Sequence, residues 1–303
     1  GGHARSCAPT RLRRFGGSIL LPVEARLVTA ISDGIEISAL DWGGDGPSLL
    51  LAHPNGFPAG VFDPLARELR DQFRPIAVDV RGNGASAAPA DLASCTFSNG
   101  ARDVLAVLDV LGITELVVLG HSMGGAVALI ADSMRPGLLR KVLLCEAIAF
   151  PAPERESGTG GGLAGGARKR RAVWPDRATV LASYGSRPPL AALDPSVLAA
   201  YVQYGFRDRD DGSIELECAP EVEATYFEHA GRVDGALRAF DHLAVIDAPV
   251  TVVNGIDTNL PRDWFEMQAN AARTTRLEVP GSHFFVQEHT DGTAALVREH
   301  LAW

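Results

Sequence analysis

Basic residues are in short supply: 28 Lys and Arg stand against 37 Asp and Glu, for a formal charge of −9. A surface that neutralises nucleic-acid phosphates needs a concentrated basic face. The single basic cluster, Arg168-Lys169-Arg170-Arg171, reads as a solvated helix face, so no nucleic-acid partner is expected. Cysteine is scarce as well. Cys7, Cys95, Cys145 and Cys218 stand far apart, which excludes zinc-ligand spacing and suits a reducing compartment. No apolar run approaches membrane-spanning length, so no membrane partner is expected. Arg11, Arg13 and Arg14 ahead of residues 19–23 imitate a secretion signal, but the apolar stretch is short, Pro22 and Glu24 interrupt it, and no small-residue cleavage site follows. The expectation is a cytoplasmic protein with an irregular leader over residues 1–25. Internal repeats are lacking, and the only low-complexity stretch is a glycine-rich loop at residues 157–166.

What is present is an ordinary globular balance, 46% hydrophobic and 21% charged, in 303 residues, enough for one large core with an inserted subdomain. Residues 26–31 and 35–42 read as a hairpin turned at Asp33-Gly34. From residue 48 onward short apolar runs alternate with helical spacing. Strand patterns fall at 48–52, 74–80, 116–119, 141–145, 250–254 and 276–279, with helices at 61–69 and 99–111. Continuous apolar runs of that length are strands buried on both faces, and their alternation with helices argues an α/β fold with a doubly wound, mostly parallel sheet. Between residues 151 and 235 the alternation lapses. Helices are read there at 176–183, 194–206 and 221–231, with a turn or short ribbon at 208–218. The expected organisation is therefore a core of residues 26–150 and 236–303, with residues 151–235 as an inserted helical cap.

The stretch that carries chemistry is Gly120-His121-Ser122-Met123-Gly124, placed between an apolar strand and a buried helix start at Ala126. A serine hydroxyl is a poor nucleophile until a base stands beside it and its oxygen reaches a cleft. Gly-x-Ser-x-Gly at a strand-to-helix turn meets the second need, and the helix aims its free N–H groups at an oxyanion formed nearby. Flanking glycines are expected to free the backbone for that turn.

Through this motif, and across most of the chain from residue 26 onward, the sequence resembles the α/β-hydrolase superfamily. Residues 151–235 carry the resemblance least. It implies a Ser–acid–His order along the chain. Ser122 is then the nucleophile and His283, in Pro280-Gly281-Ser282-His283 after the last strand, the base. Of the rivals, His121 lies inside the elbow and is expected to point into the fold, His229, His242, His289 and His300 match no motif, and His53 is expected to brace the oxyanion loop. Two carboxylates compete as the acid. Glu146, at the tip of the strand beside the nucleophile strand, is similar in placement to the glutamate of some haloalkane dehalogenases and the related coelenterazine luciferase. Asp257 follows the later strand, but the usual Gly-x-x-Asp spacing from Gly255 falls on Thr258. Glu146 is favoured. The oxyanion hole is expected from the N–H of Met123 and of Asn55, in His53-Pro54-Asn55-Gly56, with Gly56 or Phe57 as substitutes for Asn55.

Arg81-Gly82-Asn83-Gly84 lacks the phosphate-loop order and is similar to the family's structural turn after that strand. Trp174, Tyr184, Tyr201, Tyr204, Phe206 and Phe227 either line a pocket or pack the inserted helices. The reaction these expectations define is hydrolysis of a carboxylic ester or related acyl bond of a small, apolar molecule through an acyl-enzyme, with no cofactor or metal. Carbon–carbon bond hydrolysis or acyl transfer on the same serine, or a weakly catalytic ligand-binding member, are the alternatives. Dehalogenation or epoxide opening by a carboxylate nucleophile would need an aspartate where Ser122 stands. The oligomeric state stays open.

Overall fold

The computed structural model describes residues 25–151 and 159–302. Residues 1–24 of the expected leader, with Cys7, lie outside the described residues.

The chain opens with β1 (Arg26–Ser32), β2 (Ile35–Asp41) and β3 (Ser48–Ala52). α1 (Asp63–Leu69), β4 (Arg74–Val78), α2 (Phe97–Leu111), β5 (Leu116–His121), α3 (Met123–Met134) and β6 (Leu139–Cys145) follow. A mainly helical segment intervenes before the sheet resumes: α4 (Thr159–Arg168), β7 (Val173–Trp174), α5 (Arg177–Tyr184), α6 (Pro195–Tyr204), β8 (Phe206–Asp208), β9 (Ile214–Leu216), α7 (Pro220–His229) and α8 (Arg238–Leu243). β10 (Val250–Gly255), α9 (Arg262–Ala271), β11 (Arg276–Val279), α10 (Phe285–Glu288) and α11 (Thr290–Leu301) close the chain.

The main sheet runs β1-β2-β4-β3-β5-β6-β10-β11. β2 is antiparallel to both its neighbours, and every pairing from β4 to β11 is parallel. Strand residues divide by period two. Leu50, Ala52, Leu116, Val118, Val142 and Leu144 face a core shared with α2, α3, α8 and α9. Leu49, Leu51, Val117, Leu119 and Leu143 face a second core shared with α1, α6 and α11. Burial on both faces explains why β3 and β5 read as unbroken apolar runs.

One expectation fails between β6 and β10. The glycine-rich stretch is not a loop along its described part, because α4 spans Thr159–Arg168. Glycine disfavours a helix intrinsically, but tertiary packing overrides propensity: Ala164 and Ala167 pack on Ala224 of α7, and Arg168 at the end of α4 pairs with Glu221 and Glu228. The basic cluster is exposed at Arg168, Lys169 and Arg171, as expected of a solvated face, while Arg170 is drawn partly inward. Arg171 lies 4.5 Å over the Trp174 ring, and Arg170 is bonded to Glu223 and Tyr201. α5 and α6 begin where their caps dictate, with Asp176 accepting from Thr179 N–H at 2.7 Å and Asp194 from Ser196 N–H at 2.8 Å. Trp174, Tyr201 and Phe206 are buried in the second core, so they pack the segment rather than stand open to solvent. The 208–218 ribbon belongs to a small antiparallel sheet in the order β7-β9-β8.

The turn after β4 is structural. Arg81, with 2% of its side chain exposed, forks onto the wholly buried Asp103 at 2.6 and 2.9 Å. Removing one partner of such a pair strands the other charge in the interior. Asp103→Ala is therefore expected to cost about 3 kcal/mol or more of folding stability. Urea unfolding checks this, and a loss below about 1 kcal/mol, the range of a surface pair, would contradict it.

Candidate active site

Ser122 sits between β5 and α3 with φ 53° and ψ −121°, a backbone conformation that L-residues seldom adopt. The flanking glycines serve it by contact rather than by torsion, since the left-handed φ belongs to the serine. A Cβ on Gly124 would run into the backbone of Ala52, and one on Gly120 would stand 2.5 Å from Gly125 Cα. The turn is tied to β6 from both sides: Ser122 N–H donates to Cys145 O at 3.0 Å, and Ile148 N–H donates to Ser122 O at 3.1 Å.

At the tip of β6, Glu146 also has a positive φ of 52° and is completely buried. Its carboxylate accepts three hydrogen bonds: Gly255 N–H at 2.8 Å on Oε1, and Thr258 Oγ1 at 2.7 Å and His283 Nδ1 at 3.0 Å on Oε2. His283, with 15% of its side chain exposed, is thus met by Glu146. Asp257 is exposed, its backbone N–H donates to Gly281 O at 2.9 Å, and its side chain makes no hydrogen bond among the described residues. Thr258, the position at which the usual spacing would place a carboxylate, instead donates to Glu146.

His121 lies beneath this pair. Gln287 Nε2 donates to its Nδ1 at 3.1 Å, so Nε2 carries the proton and donates to His283 O at 2.8 Å. Burial, helped by His283, holds the His121 pKa well below the usual histidine range. The imidazole is a neutral strut that fixes the His283 backbone to the elbow, a role that only the fold reveals. Among the described residues Ser122 Oγ and His283 Nε2 make no hydrogen bond, with each other or elsewhere; such contacts commonly tighten only around substrate.

The loop after β3 is held from within. His53 is buried, its Nδ1 donates to Pro54 O at 2.9 Å, and its Nε2 accepts from Val80 N–H at 3.3 Å. Phe57 N–H also donates to Pro54 O at 3.3 Å, and Gly56 N–H donates to Asn83 Oδ1 at 3.2 Å. The N–H groups of Gly56 and Phe57 are therefore engaged, whereas those of Asn55 and Met123 have no hydrogen-bond partner among the described residues. In a trans peptide the N–H opposes the C=O, so the two bonds on Pro54 O also direct the Asn55 N–H. Phe57 stacks on Phe284 with centroids 5.3 Å apart, and Phe284 meets the His283 ring edge-on at 5.0 Å. No cluster of three or more His, Cys, Asp or Glu side chains suited to a metal occurs among the described residues, and none of their helices is long and apolar enough to cross a membrane.

A serine on a strained strand-to-helix elbow, a histidine oriented by a buried carboxylate, and a doubly wound sheet are features of α/β hydrolases. The profile of the Alpha/beta hydrolase family matches residues 49–296, and the chain belongs to that family. Among curated relatives, an uncharacterized protein of Mycobacterium tuberculosis is 36% identical over 105 residues, a match spanning 34% of this chain and only 30% of that relative. The 2-(acetamidomethylene)succinate hydrolase of Mesorhizobium japonicum is 27% identical over 81% of this chain and 84% of its own. A solved E-2-(acetamidomethylene)succinate hydrolase superposes with a TM-score of 0.78 at 21% identity, covering 91% of this chain and 99% of that one.

Burial pulls the His53 pKa from 6.5 down to about 4. Between those values the unfolded chain binds a proton that the folded chain refuses, so this residue's share of stability is full above pH 6.5 and is lost as pH falls through 4. Asp79, which burial pushes up to about 7, works in the opposite sense as pH rises from 3.8. The His53 share is isolated by comparison with His53→Gln. The stability advantage of wild type over the variant should shrink steadily from pH 6.5 to 4 in chemical unfolding, and an advantage independent of pH would contradict it.

Proposed function

We propose that the chain is a serine hydrolase that cleaves a carboxylic ester or related acyl bond of a small apolar substrate through an acyl-enzyme. The observation that carries this reading is the chain of contacts from the buried Glu146 through His283 to the elbow that presents Ser122. With Nδ1–H donated to Glu146, the neutral imidazole keeps Nε2 free to take the Ser122 proton. Ser122 Oγ then attacks the carbonyl carbon, and the negative charge that develops on oxygen is met by the N–H groups of Met123, at the start of α3, and of Asn55, in the loop after β3. Collapse of the tetrahedral intermediate expels the leaving group, which receives the proton from His283. Water, deprotonated by the same imidazole, releases the acyl group. Glu146 stays ionised and stabilises the imidazolium, while Thr258 and Gly255 keep its carboxylate in place.

Phe57, Phe284 and the half-buried Ile148 beside Ser122 favour an apolar substrate face. The inserted helices serve as a cap over this face in the same reading. Similarity over most of both chains to a relative named as a hydrolase favours turnover over passive ligand binding. Carbon–carbon bond cleavage and acyl transfer on the same serine share every step up to the acyl-enzyme or its equivalent.

Fluorophosphonate labelling tests the nucleophile: the adduct should fall on Ser122, and Ser122→Ala should lose both labelling and turnover of an activated short-chain ester. Labelling elsewhere, or an active alanine variant, would refute the reading. Glu146→Gln is expected to lower kcat about 10³- to 10⁴-fold, and Thr258→Val, which removes one support of that carboxylate, about ten-fold with KM little changed. Asp257→Asn should leave kcat close to wild type. Steady-state kinetics decides, and a larger loss for Asp257→Asn than for Glu146→Gln would transfer the orienting role to Asp257.

A further inference from the structure

Three elements of the segment between β6 and β10 converge on the loop that follows β3. Arg170 lies just past α4, Tyr201 on α6 and Glu223 on α7. The Arg170 guanidinium is bonded through Nη1 to Glu223 Oε2 and donates through Nη2 to Tyr201 OH at 2.7 Å. All three are largely buried, with 20% of the Arg170 side chain and 12% of Glu223 exposed. Arginine can only donate, so the Tyr201 oxygen must accept from it, and the phenol proton is directed to Gly56 O at 3.2 Å. Glu223 reaches the same loop twice. Its carbonyl accepts from Asn55 Nδ2 at 2.9 Å, and its side chain lies so close to Gly56, φ +75°, that a Cβ there would stand 2.7 Å from Glu223 Cδ.

The core grips the loop from the other side through Asn83 on Gly56 N–H and His53 on Pro54 O. Pro54 O, Asn55 Nδ2 and both backbone polar groups of Gly56 are thus held, whereas the Asn55 N–H and the buried Asn55 Oδ1 have no hydrogen-bond partner among the described residues. A hydrophobic contact would tolerate sliding; these bonds fix the peptide planes.

We propose that Arg170, Tyr201 and Glu223 are positioning residues for the oxyanion donor at Asn55, so that stabilisation of the transition state depends on how the helical segment is seated on the core. The proposal rests on the reading of Asn55 N–H as that donor. None of the three side chains touches the reacting atoms in this scheme; they act through the loop.

Tyr201→Phe removes only the hydroxyl that links Arg170 to Gly56 O. An activated ester and its thionoester, in which sulfur replaces the carbonyl oxygen, separate the effects, because sulfur is a poor acceptor for oxyanion-hole donors. Tyr201→Phe should lower kcat on the ester about ten-fold with KM within about two-fold, and the ester-to-thionoester ratio of kcat/KM should shrink. Asn55→Ala, which keeps the backbone N–H but cuts the tie to Glu223, should do the same while leaving the thermal midpoint close to wild type. Should Tyr201→Phe fold poorly, Arg170→Lys, which keeps a cation beside Glu223 but loses the forked geometry, replaces it. Unchanged kinetics, or equal losses on both substrates with the ratio preserved, would overturn the clamp. A wild-type ratio near one would instead overturn the oxyanion reading itself, so the two failures are distinct.

Discussion

Glu146 has no contact with solvent, and a carboxylate in that position is tolerable only where hydrogen-bond donors replace its lost hydration. The three donors come from the end of β10, the loop after it and the turn after β11. Their convergence requires that three neighbouring strands finish almost level. The parallel register provides this, pairing Cys145 with Val253 and Gly255 with Val279. A slip of one residue in either pairing would turn the donor set to the opposite face of the sheet. The imidazole geometry is therefore a consequence of strand register, and register is enforced by apolar residues such as Val252 and Val253 packed on both sides.

The two positive-φ residues of the site, Ser122 and Glu146, sit at the ends of adjacent strands, and Ser122 bonds to the residues on either side of Glu146's turn, Cys145 and Ile148. Ser122 is held in its sparsely populated conformation by the neighbours of Glu146, since Cys145 O accepts from Ser122 N–H and Ile148 N–H reaches back to Ser122 O, while Glu146 N–H is held by Val253 O of β10. Strain of this kind persists only where the surroundings over-determine it. Close packing of Gly120, Gly124 and Gly125 provides the rest, since side chains on any of them would wedge α3 away from β3 and β5.

The sheet was legible because burial on both faces writes an unbroken apolar run, as in β3 and β5, and the elbow because its glycines are demanded by contact. His283 was singled out by the family resemblance through its place after the last strand, and the fold brings its Nδ1 to Glu146. What could not be read were side chains whose role depends on residues far away in the chain. Arg170 looks like one member of a charged run until α6 and α7 fold over it. Thr258 looks like a missing carboxylate until Glu146 arrives 112 positions away. The glycine-rich stretch reads as a loop because propensity is local, whereas the alanines that seat α4 on α7 act at a distance.

The departure at Thr258 and the presence of Glu146 form one arrangement. A carboxylate at residue 258 would stand where the threonine hydroxyl now donates to Glu146 Oε2, the same oxygen that accepts from His283. Two carboxylates at such a distance cannot both ionise; one would take up a proton and compete with the imidazole for its position. A hydroxyl avoids this, since it adds a donor to a charge already buried and adds no second charge. The space beside His283 therefore admits one anion, reached from the tip of β6 or from the loop after β10. In this chain the side chain at residue 258 leaves the charge to Glu146.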